Sequence, residues 1–425
     1  MLFFRESPEG RGSFRLVVNK IYFDAEDAPS MDIQISETVL REALEKIYNK
    51  KFNVKTDIEP YLYKAVRDIF NQATDEAFVS SDHDKEFQQQ LKHSNEVFSV
   101  FKVHRAQNDM AARLLDSNGK LKSFNQWLND VLPIASHQCG SWLKTEYDTA
   151  VLRAHQAADW QQFRRERDVL PNLKWMPSTS LHPGEDHQKY WGTIRPIDDK
   201  FWTEHRPGDR WNCKCSLTST DEAVTPVPAE DVHSEPQAGL KGNPGTTGET
   251  FSDDHPYFPK SCDSCPFYNP SLKDKLKSLF TNRVKDCYHC PYVDGCIYGT
   301  EKNEVKEIKK EARKQLQGTT ITTQNFGREI GISRRSIDEW TNQPHVHYAE
   351  KNRMLLNIEE VLNSAKYVGR KSDNSTKPGS KWIHLFETKI QGEKSWIIIK
   401  EFQDGTTILY SISDSPNILK GLNER

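Results

Sequence analysis

Cysteine pairs are the first residues of this chain whose type and spacing suggest chemistry. Two Cys-x-x-Cys motifs follow one another in the second half of the sequence: Cys262 with Cys265, and Cys287 with Cys290. Two such motifs can close a tetrahedral four-thiolate site, as in zinc ribbons. Cys296 or His289 could replace one of the four ligands, and an iron–sulfur cluster takes the same thiolates. Nothing else in the sequence suggests redox chemistry, so we expect a structural zinc in this segment.

A second group of possible metal ligands combines two histidines with a Cys-x-Cys motif. They are His182, His187, Cys213 and Cys215. Imidazole and thiolate together are common zinc ligands. The alternative is that the two cysteines share one face of a strand and simply pack there. Cys139 stands apart from both groups and is expected to be a small buried side chain.

The overall composition limits the class of protein. With 425 residues the chain is long enough for two to four domains, and 36% hydrophobic residues is low for one compact globule. A formal net charge of −3 gives no global attraction to nucleic acid or membrane. No apolar run approaches the ~18 residues that span a bilayer, and the first residues lack the order of a signal peptide. We therefore expect no membrane partner and a location in the cytoplasm or in a particle assembled there.

The pattern of apolar residues predicts a multidomain α+β chain with five parts. They are residues 1–115, helical, with Ser36 as a helix N-cap; 116–222, a helical hairpin followed by short strands; 223–250, a flexible linker; 251–300, the Cys-rich segment; and 301–425, an α+β domain that ends in a small antiparallel sheet. The helical part predicts either a bundle or an arm that docks on a larger assembly. The linker is expected because Pro, Gly, Thr and acidic residues dominate it. Asp404-Gly405 predicts the last hairpin turn.

The segment from Trp142 to Cys215 resembles a known family. A helix with a Trp/Thr/Glu-Tyr signature precedes a histidine, a glycine-containing strand, a tryptophan and a final Cys-x-Cys. The matching residues are Trp142, Thr145, Glu146, Tyr147, His187, Gly192, Trp202, Asn212, Cys213 and Cys215. This order resembles the Mu F-like phage head morphogenesis family, although Lys214 stands where that family usually has Arg. The resemblance implies a minor head protein that contacts portal and capsid proteins and performs no catalysis.

The last quarter of the chain resembles a second family. A histidine-rich stretch leads into a helix and then into three strand-like runs, IHLFETKI, SWIIIKEF and TTILYSIS. This resembles the barnase/EndoU/colicin/RelE-like nucleases that occur as C-terminal toxin domains of phage proteins. The resemblance implies metal-independent RNA cleavage. A base removes the 2′-hydroxyl proton, an acid protonates the leaving 5′-oxygen, and a cation stabilises the phosphorane.

Several residues after position 340 are of the right type for that chemistry. The candidates are His345, His347, Lys366, His384, Thr388, Ser411 and Ser413, of which we favour His347, Lys366, His384 and Ser413. A nuclease predicts that His347, His384 and Ser413 converge on one cleft. The structural alternatives are that the paired histidines shape a helix start, that His384 is a satisfied surface histidine, and that Ser413 caps a turn.

Together these observations predict a phage or prophage minor head protein that carries a C-terminal RNase-like effector. Its expected partners are portal and capsid proteins, an RNA substrate and an immunity protein, in the virion or the host bacterial cytoplasm. The alternative is a purely structural head protein whose last domain is a binding module. A helix-turn-helix is a third interpretation, in which Gly331 precedes a recognition helix and Arg334 and Arg335 meet phosphates.

Overall fold

The computed structural model describes residues 3–5, 15–17, 35–78, 84–229, 235–271, 285–373, 379–390 and 392–422. The chain is a multidomain α+β protein, which confirms the predicted fold class. It divides into two compact units, Met1–Ile297 and Tyr298–Arg425. Within the described ranges, no helix is long and apolar enough to cross a membrane.

Long helices dominate the described part of the first unit. They are α1 (Glu37–Tyr48), α2 (Pro60–Ala77), α3 (Lys85–Ala111), α4 (Phe124–Ser136) and α5 (Trp142–Glu166), with a π-helical turn at His137–Ser141. The α1 helix begins where predicted, because Ser36 Oγ accepts the Val39 N–H at 3.3 Å. Leu40, Leu44 and Ile47 then recur at helical spacing and are buried. The predicted N-cap and amphipathic pattern are therefore confirmed for this helix.

The helices form a bundle whose core includes residues from much later in the chain. Phe98 of α3 stacks on Phe251, with ring centroids 4.2 Å apart. Phe101 lies 4.7 Å from Phe258 and 5.4 Å from Phe267. The Cys-rich segment thus packs against α3, and one hydrophobic core extends from Ile35 to Ile297.

The predicted flexible linker is wrong for residues 235–250. Leu240 and Thr250 are almost fully buried, and helix α8 (Pro244–Thr247) forms inside this stretch. Gly245 lies against Trp160 of α5, so closely that a side chain there would overlap the indole ring. The linker was predicted because this stretch has few large apolar residues. It is ordered because buried polar side chains of the helical core form hydrogen bonds with its backbone.

A small three-stranded sheet follows α5 in the sequence, and the segments between its strands carry the candidate site described in the next subsection. It contains β3 (Asn172–Met176), β4 (Ile194–Pro196) and β5 (Ser216–Thr220) in the order β4-β3-β5, all antiparallel. Two short helices, α6 (Glu185–Gln188) and α7 (Phe201–Glu204), lie between its strands in sequence. A separate N-terminal hairpin pairs β1 (Phe3–Arg5) with β2 (Arg15–Val17).

The second unit is a mixed sheet with helices on one face. Its strands are β6 (Thr319–Thr322), β7 (Glu329–Ile332), β8 (Lys366–Ser372), β9 (Ser380–Ile390), β10 (Glu393–Phe402) and β11 (Thr407–Ser413), in the order β6-β7-β11-β10-β9-β8. The β7 and β11 strands are parallel and the other pairs antiparallel. The sequence predicted the last three strands but not β6, β7 and β8.

The helices of the second unit differ from the sequence-based expectation in two ways. They are α9 (Pro291–Leu316), whose end belongs to this unit, α10 (Arg334–Asn342), α11 (Tyr348–Arg353) and α12 (Ile358–Ser364), with 3₁₀ turns at Met354–Asn357 and Pro416–Leu419. The single helix predicted after His347 is therefore divided. The helix-turn-helix interpretation is wrong, because strand β7, and not a helix, precedes Arg334 and Arg335.

Candidate functional site

One group of three side chains in the described residues could hold a metal ion: His187, Cys213 and Cys215. Their ligand atoms all lie within 4.8 Å of one another. Helix α6 carries His187, and the two cysteines lie in the turn that leads into β5. Asn212 opens this turn with a φ of +61°, a conformation that Asn tolerates better than most residues. Because the two cysteines are two positions apart in extended chain, their thiols lie on one side.

Both nitrogens of the His187 ring are engaged. Its Nε2 lies 2.6 Å from Asp209 Oδ1, while its Nδ1 lies 3.3 Å from Cys213 Sγ and 3.8 Å from Cys215 Sγ. A carboxylate on one ring nitrogen fixes the tautomer and turns the other nitrogen toward a metal. This arrangement would suit a metal-ligating histidine with a supporting carboxylate.

The three groups shift one another's pKa values strongly. The Cys213 thiol and His187 hold the pKa of Cys215 well below its usual range, although burial opposes this. The bond to Cys215, together with burial, raises the pKa of Cys213. Burial lowers the pKa of His187, but its bonds to Asp209 and Cys215 outweigh that effect and raise the pKa to about 9. A stabilised thiolate is the ionisation state that a bound cation requires.

Aromatic side chains shield the group from water. The Trp175 ring lies edge-on to His187, with centroids 5.1 Å apart, and stacks on Tyr190. The indole N–H groups of Trp175 and Trp191 are buried without a hydrogen-bond partner. Both indoles help to lower the pKa of Cys215, so a metal-bound thiolate would suit these otherwise orphaned donors.

Two arginines hold Asp209 in position. Arg210 Nη1 donates to Asp209 Oδ1 at 3.2 Å, and the Arg206 backbone N–H donates to Oδ2 at 3.3 Å. The buried Arg206 guanidinium bonds Asn243 Oδ1 at 2.6 Å and also Gln156 Oε1. Gln156 belongs to α5 and Asn243 to the stretch once expected to be a linker. The carboxylate behind His187 is thus tied to two other parts of the unit.

Arg153 of α5 is a further buried guanidinium beside this group. It is 1% exposed and donates to the carbonyl oxygens of Gly208, Leu240, Lys241, Gly242 and Thr250 at 2.5–3.4 Å. Burial lowers the pKa of Arg153 to about 10. One side chain therefore fixes both the loop before Asp209 and the stretch from 240 to 250 onto the helical core.

The other predicted metal ligands of the first unit do not join this group. They are His182, Cys262, Cys265, Cys287, Cys290 and Cys296. His182 is exposed in the loop before α6. Within the described part of the chain, the remaining five cysteines form no group of three ligand atoms as close as that at His187. Cys287 and Cys290 are buried in the helical core. Zinc in the Cys-rich segment therefore stays a prediction. Burial raises the pKa of Cys139 to about 11, which agrees with an unreactive thiol.

His384 has the richest polar surroundings among the residues predicted to be catalytic. It lies on β9, is 2% exposed and shares a sheet face with Phe386, which packs against the helices. Its Nε2 lies 2.7 Å from Glu401 Oε2 on β10, and its Nδ1 lies 2.9 Å from the Tyr367 hydroxyl on β8. Burial lowers the pKa of His384 even though Glu401 opposes this. The ring is thus a neutral histidine held between a carboxylate and a phenol.

Two arginines border His384. Arg328 Nη1 lies 3.0 Å from Glu401 Oε2, and Arg370 stands opposite His384 in the register of β8 and β9. Burial would raise the pKa of Glu401, but its bonds to His384 and Arg328 hold that pKa below its usual value. Histidine, carboxylate and guanidinium groups together are the residue types of acid–base and phosphoryl chemistry.

The paired histidines lie at the other end of the sheet. His345 Nε2 lies 3.1 Å from Ser395 Oγ, and His347 Nε2 lies 3.2 Å from Glu393 Oε2. Because His345 Nδ1 accepts the His347 N–H at 2.9 Å, its Nε2 carries the proton and cannot act as a base toward Ser395. Ser395 and Glu401 are six positions apart on β10, which corresponds to roughly 20 Å. These histidines are thus remote from the His384 group.

The predicted serines and lysine also lie outside the His384 group. Ser411 pairs with Ile398 on the face opposite the helices, and Ser413 follows on the same face. Ser413 Oγ accepts the Ser415 N–H at 3.2 Å, in agreement with the turn-capping alternative. Lys366 is exposed at the start of β8, and Thr388 pairs with Ser395 near the paired histidines. The expected convergence of His347, His384 and Ser413 on one cleft is wrong.

Sequence reasoning missed the carboxylate and phenol partners of His187 and His384. Asp209 lies just ahead of Asn212 and the Cys-x-Cys, so its position in RPGDRWNCKC was a usable signal. Glu401 and Tyr367 each lie 17 residues from His384 in sequence and reach it only through the registers of three consecutive strands. No spacing rule connects such residues.

Comparison with known families gives two matches. Residues 68–218 match the family described as phage Mu protein F like protein, and residues 299–410 match the family described as large polyvalent protein-associated domain 3. Neither the curated proteins nor the solved structures yielded a match. The first match confirms the resemblance of this region to Mu F-like phage proteins, and it contains His187, Cys213 and Cys215. The second match lends no support to a nuclease.

Proposed function

We propose that this protein is a minor head protein of a phage or prophage, and that its Mu F-like region holds a structural metal ion. The carrying observation is that the matched range 68–218 contains the buried group of His187, Cys213 and Cys215. Its partners would be the portal and capsid proteins of the head, and its location the virion. A head protein must keep its shape within an assembly, and a metal that joins α6 to the start of β5 serves that need.

Zinc suits this donor set best. One imidazole nitrogen and two thiolates are of the ligand types that zinc takes and would fill three of its four tetrahedral positions, whereas hard cations prefer oxygen. Asp209 would orient His187, and Trp175 with Trp191 would exclude water and donate to sulfur. The buried surroundings argue for a structural role, since a catalytic zinc needs a position open to substrate.

The test is co-assembly with phage heads. The full chain is produced together with the portal and capsid proteins of the prophage that encodes it, and heads are isolated by sedimentation. We expect the wild-type chain in the head fraction and a strong loss of the Cys213→Ser/Cys215→Ser double variant. Cys139→Ala, which removes a buried thiol outside the group, is the matched control. If the isolated heads contain no wild-type chain, the head-protein proposal is contradicted.

The arrangement around His384 favours a second function, an RNase-like effector in the second unit. Glu401 would take the proton of a ribose 2′-hydroxyl, and the Tyr367 hydroxyl would protonate the leaving oxygen. Neutral His384, which contacts both groups, would hold them in position, and Arg328 would stabilise the phosphorane. RNA would be the substrate, and an immunity protein would protect the host. These roles replace the earlier candidates His345, His347, Ser411 and Ser413, which lie elsewhere. A binding module without cleavage is the alternative.

RNA cleavage by the full chain in the presence of chelator tests the effector. We expect cleavage by the wild type, a loss of at least about a hundredfold in Glu401→Gln, and unchanged cleavage in His347→Ala. A folded wild-type chain that leaves several RNA types intact would remove the effector proposal and leave the head protein alone.

A further inference from the structure

Two guanidinium groups lie on aromatic rings at the His384 end of the sheet. The Arg370 guanidinium carbon is 4.5 Å from the centre of the Trp382 ring, and that of Arg328 is 5.8 Å from the centre of the Phe326 ring. Both arginines are exposed, and both aromatic rings are partly exposed. Planar cations that lie over partly exposed aromatic rings therefore line one edge of this unit.

Strand register places these groups on one continuous surface. Arg370 stands opposite His384, and Trp382 stands opposite Glu401 and two positions before His384 on β9. Side chains two positions apart on a strand share a face. Phe326 also contacts this face, since its ring lies 4.9 Å from His384 in an edge-on orientation. The surface thus extends from β8 across β9 to β10.

The charge of this surface is positive. Glu401 neutralises Arg328 in part, with 3.0 Å between Nη1 and Oε2. Arg370 has no carboxylate partner among the side chains that the structure describes. Lys400, whose ion pair with Asp373 spans 2.8 Å, belongs to the opposite face, because its neighbour Glu401 points toward His384. The surface carries two guanidinium groups for one carboxylate and favours a polyanion.

The combination of guanidinium groups with partly exposed aromatic rings distinguishes between the polyanions that this surface could bind. Guanidinium groups bind phosphates in a bidentate manner, and unpaired bases stack on aromatic faces. A duplex buries its base faces and offers only phosphates, while an acidic peptide would use the arginines without needing the rings. A single strand is the polyanion that uses both features.

We infer that the surface of Arg370, Trp382, Arg328 and Phe326 binds single-stranded nucleic acid, with bases stacked on Trp382 and phosphates on the two guanidinium groups. This deepens the proposed RNase by naming how its substrate is held, but binding does not require cleavage. The partly exposed ring of Trp382 would be the principal stacking site. Cleavage and binding can therefore fail independently.

Binding of a fluorescent single-stranded DNA to the full chain tests this inference, because DNA lacks the 2′-hydroxyl and stays intact. Fluorescence anisotropy compares it with the duplex of the same sequence. We expect the single strand to bind at least about tenfold more tightly, and Trp382→Leu to weaken its binding about tenfold, since stacking contributes about 1–3 kcal/mol per base. Trp382→Phe should restore most of the affinity.

The arginines provide the matched charge control. Arg370→Met should weaken single-strand binding several-fold, whereas Arg335→Met removes the same charge from exposed α10 and should change binding less than about twofold. Equal losses in both variants, equal affinity for duplex, or full competition by polyglutamate would overturn the inference. Retained single-strand binding without RNA cleavage would remove the RNase and leave this inference standing.

Discussion

Each unit of this protein buries one histidine against a carboxylate, and the two pairs differ in everything around them. His187 Nε2 lies 2.6 Å from Asp209, and His384 Nε2 lies 2.7 Å from Glu401. The other ring nitrogen faces two thiols in the first unit and the Tyr367 hydroxyl in the second. On our proposals, the same type of pair would support metal ligation in one unit and acid–base chemistry in the other.

The surroundings set the protonation of the two rings in opposite directions. Burial lowers the pKa of both histidines, but Asp209 and Cys215 raise that of His187 to about 9. The pKa of His384 stays below its usual value, because Arg328 and Arg370 add to the effect of burial. A carboxylate contact alone does not fix the charge of a histidine; the groups at the opposite nitrogen and the nearby cations decide it.

Replacing a buried arginine in the first unit and an exposed arginine in the second should give the largest difference in unfolding free energy between the two units. Arg153→Met would leave several buried carbonyl oxygens without a donor, and we expect it to reduce the unfolding free energy of the first unit by about 3–5 kcal/mol. Arg328→Met in the second unit removes a half-exposed partner and should cost less than about 1 kcal/mol. Denaturant unfolding, followed by hydrogen exchange to separate the units, measures both. Similar losses would contradict the contrast.

His255 is another buried histidine, and it tests the effect of burial on a ring that has no hydrogen bond to a carboxylate in the described part of the chain. Burial and Lys102 lower the pKa of His255 to about 4, against a usual 6.5. Below about pH 6.5 the unfolded chain binds a proton that the folded chain rejects, so stability is lost as pH falls toward 4. The loss attributable to His255 should reach about 3 kcal/mol.

The difference between wild type and His255→Gln isolates this effect. Their unfolding free energies are measured from pH 7 to pH 4, and the advantage of the wild type should shrink by that amount. If the two curves of unfolding free energy against pH run parallel, His255 does not have the lowered pKa that this prediction assumes.

The carboxylates provide the smallest and most specific contrast. Asp209→Asn should weaken zinc binding about 10- to 100-fold, because the carboxylate orients His187 and strengthens it as a ligand. Glu401→Gln makes the same chemical change beside the other histidine and should leave zinc affinity unchanged. Competition with a chromogenic chelator measures both, and equal effects would mean that neither carboxylate supports a metal.

The sequence was informative where neighbouring residues determine the structure. The N-cap at Ser36 and the amphipathic face of α1 follow from local spacing, and the Cys-x-Cys placed two thiols on one side of the chain. His187 was named as a possible partner because it forms a closely spaced pair with His182 and matches the histidine of the Mu F-like order, but its supporting Asp209 was missed. Local patterns therefore predict ligands better than they predict the groups that orient them.

Long-range packing explains most of what the sequence did not predict. The order of residues 235–250 depends on Arg153, which lies far away in α5, so composition alone suggested a linker. The convergence of His347, His384 and Ser413 failed because strand direction separates the first two and side-chain alternation places the third on the opposite face. Register between β8, β9 and β10, and not spacing, selects Tyr367 and Glu401.

Zinc content of the purified full chain tests the central claim most directly. Elemental analysis compares the wild type with the Cys213→Ser/Cys215→Ser variant and with His384→Gln. We predict that the cysteine variant loses about one zinc per chain while His384→Gln loses none. Zinc retained in the cysteine variant would belong to other ligands, such as the Cys-rich segment. Equal zinc content in all three proteins would contradict the assignment of His187, Cys213 and Cys215 as a metal centre.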